Sequence, residues 1–172
     1  MTAQKIKQQI VEIIKVLRTY GHWMLEDLIK EDLLWQPENT NARTIQSFFR
    51  HIINAEIFWL KHLEDETYSY EPKSSDFQKL LLTFDELEKH FITCIQNSKD
   101  SDLEFHTPKY EGEELMTPGT LSWVILRTSL HAVHHFGQIA HIRYSMDKPP
   151  NKETRKISWG GTMDIIVKAM LL

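Results

Sequence analysis

Four of the nine histidines in this 172-residue chain fall in one stretch, Leu121 to Arg143: His131, His134, His135 and His141. The stretch holds no proline and one glycine, Gly137, so it reads as one long helix. At about 100° per residue, Leu121, Val124, Ala132, His135, Ile139 and Ile142 share one side, with His131 at its margin. His134 and His141 fall on a flank with Trp123. His131 and His135 therefore stand one turn apart and point together toward the apolar face. Two imidazoles so placed can grip one metal ion. They can also be a hydrogen-bonded pair inside a core, but then each ring needs partners for both nitrogens. The helix taken alone leaves both readings open.

The elements that must position this helix follow from periodicity. Residues 3–30 predict a first helix on the spacing of Ile6, Ile10, Ile13, Ile14, Leu17, Met24, Leu25 and Leu28. A connection through Pro37 follows, with Trp35 as a plug at the bundle end. Asn41 is the expected N-cap of a second helix over 42–63, with Ile45, Phe48, Phe49, Ile52, Ala55, Phe58, Trp59 and Leu63 as its stripe. His51 lies at the margin of that stripe, and His62 near its end reads as a solvated C-terminal residue. Ser75 and Gln78 form a capping-box pattern before a third helix that runs to about Asn97 and carries His90. Residues 98–116 make the longest connection. Thr117-Pro118 reads as N-cap and first turn of the histidine helix. A short terminal helix over 162–171 closes the chain. No strand-like alternation stands out. The expected class is all-α, a four-helix bundle with a short extra C-terminal helix, in one domain over 1–172. A linker of about 11 residues after the second helix reaches roughly 36 Å. That helix is roughly 32 Å long, so a crossover leaving helices two and three parallel is feasible.

Composition narrows the classes. Hydrophobic residues are 41% and charged residues 26%, an ordinary globular balance. The net charge of −4 offers no broad basic surface for nucleic acid. No apolar run reaches the roughly 20 residues of a membrane span, and the first residues show no apolar signal segment. Cys94 is the single cysteine; it excludes an internal disulfide, fits a cytoplasmic setting and reads as a small buried residue.

Three segments in order resemble the DinB-like family of metal-binding four-helix bundles. They are Leu34-Trp-Gln-Pro with Ala42-Arg-Thr-Ile, then His51-Ile-Ile-Asn-Ala-Glu-Ile-Phe-Trp-Leu, then His131-Ala-Val-His-His-Phe-Gly-Gln-Ile. The second is similar to the family's His-x4-Glu segment and the third to its His-x3-His-x-Gly-Gln pattern. The family often has Arg where this chain has Phe136. The resemblance implies His51, His131 and His135 as metal ligands and an up-down-down-up bundle. It also implies a homodimer, and an activity such as transfer of a low-molecular-weight thiol, bacillithiol or mycothiol, to a small-molecule substrate. Glu56 belongs to the motif but points away from His51 on the helix, so it is expected to support the structure. Three neutral imidazoles leave an open position on Zn²⁺ or Ni²⁺, able to hold a thiol or water as its anion. Gln138, three residues after His135, is placed to orient a ligand ring or to bridge helices. A thiol transferase is the leading expectation; a metal-dependent hydrolase and a non-catalytic metal- or ligand-binding stress protein are the alternatives. No catalytic side chain follows from the sequence.

Overall fold

The computed structural model describes residues 2–38, 41–63 and 76–151. Its helices are α1 (Ala3–Leu25), α2 (Lys30–Leu33), α3 (Ile45–Leu63), α4 (Phe77–Asn97) and α5 (Leu121–Ser145). A 3-10 turn, Asp100–Leu103, follows α4. The expected terminal helix over 162–171 lies outside the described residues.

Side-chain pairs fix the helix directions. Lys7 of α1 donates to the Gln96 and Ser98 carbonyls, while His22 meets Asp85, so α1 and α4 run antiparallel. Phe48 meets His135 and Trp59 meets Trp123, so α3 and α5 run antiparallel. Tyr20 meets Phe136 and Met24 receives Arg143, so α1 and α5 run parallel. The order is therefore up-down-down-up, with α3 and α4 parallel; Phe49 near the start of α3 meets Phe77 at the start of α4. One apolar cluster joins all four long helices, with Phe49, Phe84 and Phe136 fully buried at its centre. Gly21 of α1 lets the backbone approach this centre. A Cβ there would lie 2.7 Å from Phe136 Cζ and 2.8 Å from Phe84 Cε1.

Several helix ends differ from expectation. The first helix stops at Leu25, not near residue 30, because Asp27 adopts a left-handed φ of 59°. Arg143 then takes the freed carbonyls, donating from Nη1 to Met24 and Glu26 at 3.0 Å each. The second long helix is capped by Thr44, not Asn41: Thr44 Oγ1 accepts from Ser47 N at 3.1 Å. The third is capped by Asp76, whose Oδ1 accepts from Gln78 N and Lys79 N; Ser75 lies outside the described residues. The histidine helix begins after Thr120, so Pro118 precedes it. The long connection contains an antiparallel hairpin, β1 (Lys109–Glu111) with β2 (Glu114–Thr117), turning at Gly112 with φ 60°. Its strands have no buried face, so no alternation was there to be read.

The far end of α5 closes with a Schellman arrangement around Asp147, φ 58°: Lys148 N donates to Arg143 O and Asp147 N to Tyr144 O. Arg143 Nε donates back to Lys148 O at 2.9 Å, and Lys148 Nζ pairs with Asp32 at 2.7 Å. Asp32 also accepts from Ile29 N. This network ties the α1–α2 corner to the end of α5.

Candidate metal centre

The histidine face of α5 is the one the periodicity selected. Leu121, Val124, Ala132, His135, Ile139 and Ile142 are all buried. On the facing helix His51 sits opposite, because α3 and α5 cross antiparallel at that height. His131 Nε2 stands 3.2 Å from His51 Nε2 and 3.1 Å from His135 Nε2. The donor atoms of all three rings lie within 4.8 Å of one another. Ligand nitrogens about 2.0–2.1 Å from a tetrahedral Zn²⁺ stand roughly 3.3 Å apart. The donor set and spacing therefore fit a divalent transition metal.

The protonation states fit as well. Burial and the neighbouring rings push the His131 imidazole down to about 4. Burial, then the nearby His135 ring and Arg43, lowers His51. Burial also lowers His135, while Gln138 works the other way. All three are thus held in the neutral form that ligates metal. Gln138 Oε1 lies 2.6 Å from His135 Nδ1. An amide oxygen only accepts, so Nδ1 carries the proton and Nε2 keeps its lone pair. The Phe48 ring flanks His135 at 5.5 Å. His131 Nδ1 is buried with no partner among the described residues.

The remaining candidates separate cleanly. His134 is exposed, its ring 5.0 Å from that of His135 but outside the three-histidine cluster. His141 is exposed on the same flank. Phe136 points into the core, edge-on to Tyr20 and near Phe84, so this position supplies packing rather than a charge. Glu56 is 1% exposed and binds Arg18 of α1, with Arg18 Nη2 donating to Oε2 at 2.7 Å. Burial pushes the Glu56 carboxyl up, opposed by that guanidinium, which also lies 3.8 Å over the Phe84 ring. Glu56 thus joins helices and takes no place among the histidines. Cys94 is half-buried rather than buried and lines, with His90, a cleft of about 600 Å³. That cleft also reaches Leu121, ten residues and roughly 15 Å along α5 from His131. The side chain of His62 lies outside the described residues.

Sequence reasoning missed a second cleft. It measures about 580 Å³ and is lined by Trp35, Arg43, Phe48, His134, Gln138 and His141 among others. Trp35 does pack against the core, but it also walls this cleft. The signal in the sequence was the shared flank of His134 and His141; what the flank faces required the loop before α3.

No helix among the described residues is long and apolar enough to cross a membrane. No curated protein and no solved structure matches the chain significantly. The family model of the DinB superfamily matches residues 15–139, the span that holds α3, α4, most of α5 and all three clustered histidines. The chain belongs to the DinB superfamily.

Proposed function

We propose that the chain is a metal-dependent enzyme that transfers a low-molecular-weight thiol, such as bacillithiol, to a small electrophile. His51, His131 and His135 are its metal ligands, with Zn²⁺ or Ni²⁺ as the ion. The convergence of their three Nε2 atoms, on neutral and partly buried rings, carries the reading. A divalent ion held by three imidazoles supplies Lewis acidity and lowers the pKa of a thiol reaching its open position. The thiol proton leaves to solvent, sulfur bonds to the electrophilic carbon, and the bond from that carbon to halogen or epoxide oxygen breaks, its electron pair leaving with halide or staying on the ring-opened oxygen, which takes a proton from solvent. Gln138 holds the His135 ring in the ligating tautomer. The nucleophile arrives as a co-substrate, since Cys94 lines a cleft at the Leu121 end of α5, away from the three histidines. A homodimer and a cytoplasmic setting are parts of the same proposal.

The test combines metal analysis with turnover. Protein purified without a His tag is expected to hold about one Zn²⁺ or Ni²⁺ per chain. It should then consume an epoxide or halogenated aromatic faster with bacillithiol, mycothiol or cysteine than metal-free protein does. Metal uptake with ester or amide turnover but no thiol dependence would replace transfer by hydrolysis. Metal uptake with neither activity would leave a binding protein. No metal uptake would remove the whole reading.

A further inference from the structure

The cleft of about 580 Å³ beside His135 has a charge pattern unlike that of the chain around it. The chain carries 24 acidic residues and a net charge of −4, yet among the described residues no carboxylate lines this cleft. Its lining contributes one permanent cation, Arg43, and the polar rings of His134 and His141. Arg43 stands just before α3 in a loop fixed on both sides. Gln36 Nε2 donates to Ala42 O at 2.6 Å, and Thr44 caps the helix. No carboxylate among the described residues pairs with Arg43; its guanidinium lies 5.9 Å from the Phe48 ring centroid. The rest of the lining is largely apolar, with the Trp35 and Phe48 rings and Ile142.

The geometry points to this cleft as the binding site for a small molecule that carries a carboxylate on a flat apolar body. A guanidinium presents paired N–H donors that match the two oxygens of a carboxylate. His134 and His141 can add a ring N–H each, and the aromatic rings offer faces for the body of the molecule. The volume lies within the range of ordinary ligand pockets, about 300–1,000 Å³. The site also touches the histidine cluster. Phe48 and Gln138 line the cleft while flanking His135, Gln138 through its 2.6 Å hydrogen bond. The proposal deepens the transferase reading and rests on it for the role of the bound molecule: the acceptor is an aromatic carboxylate, selected by Arg43.

The test uses 2-naphthoate and its uncharged counterpart 2-naphthamide, titrated calorimetrically into the full chain and into Arg43→Gln, each with and without Zn²⁺. Zinc stoichiometry is measured on the same samples, and far-UV circular dichroism reports that the variant is folded. The chain should bind naphthoate about tenfold more tightly than naphthamide, and Arg43→Gln should bring the two together. Equal affinities in the unaltered chain, binding of neither probe, or a preference that survives Arg43→Gln would each overturn the proposal. A carboxylate preference without zinc uptake would uphold the cleft and defeat the metal reading. Zinc uptake without the preference would do the reverse.

Discussion

Two of the polar clusters packed into this bundle are built on opposite terms. At the end of α5, Arg143 is 4% exposed and its donors meet three backbone carbonyls, while Lys148 and Asp32 neutralise each other beside it. Midway along the same helix, three histidines crowd their Nε2 atoms together, and His131 Nδ1 has no partner among the described residues. The first set closes two helix ends and leaves little unmet. The second holds three lone-pair donors at one point with no acidic group among them. A polar group whose partners are all in the chain is explained by the fold. A cluster of lone pairs with no donor of its own among the described residues is open to a ligand from outside.

The sharpest way to break the comparison is to remove members of each set. His131→Ala or His135→Ala should weaken Zn²⁺ binding on the order of 10²–10³-fold, with far-UV circular dichroism unchanged. His134→Ala and His141→Ala should leave zinc stoichiometry as it is. Loss in His134→Ala with retention in His135→Ala would reverse the assignment. Arg143→Met should do the opposite: about 2–4 kcal/mol of stability lost in denaturant unfolding, because three carbonyls lose their donor, with one zinc still bound. If that variant lost metal before stability, the division between the two sets would fail.

Smaller effects sharpen the contrast. Gln138→Leu should weaken zinc roughly 10- to 100-fold by freeing the His135 tautomer, without moving the unfolding midpoint of metal-free protein much. The pH response separates the sets by direction of charge. Below about 6.5 the unfolded chain takes up protons on its imidazoles, while the folded site refuses them down to about 4 at His131. Metal-free protein should thus lose stability progressively from pH 6.5 toward 4, and the extra stability from zinc should shrink over the same range. The Asp32 carboxyl, held low by Lys148, loses its contribution only as pH falls below the ordinary carboxylate range. A flat stability profile between pH 6.5 and 4.5 would mean that the rings are not held neutral.

How much of this was readable in the sequence depends on whether the cause was local. The face of α5 was legible because a 25-residue helix averages its period over seven turns. The His131–His135 pair was legible for the same reason. His51 was not, since it joins them only where α3 crosses α5, 80 residues away in sequence; the family motif supplied it. The end of α1 was illegible because Met24, Leu25 and Leu28 continue the apolar period past the break. What stops the helix is Asp27 in a left-handed turn together with an arginine 117 residues beyond Glu26. Thr44, Asp76 and Thr120 took the capping positions from neighbours one to three residues away, since several polar residues at each boundary can serve. The cleft at Arg43 needed a loop, α3 and α5 together, and no single segment announces it.

Gly21 carries a further consequence for which changes this chain can accept. Alanine is the better helix former by about 1 kcal/mol, and at the exposed Gly137 nothing stands within 4 Å to oppose it. At Gly21 the same methyl would strike two aromatic rings, one of them Phe136 on the histidine helix itself. The bare backbone of α1 thus works as a ruler, setting how far the back of α5 may stand from its neighbour. A side chain at Gly137 would meet open space on the rim of the cleft and so would change what the cleft admits. The spacing behind the histidines does not share that freedom.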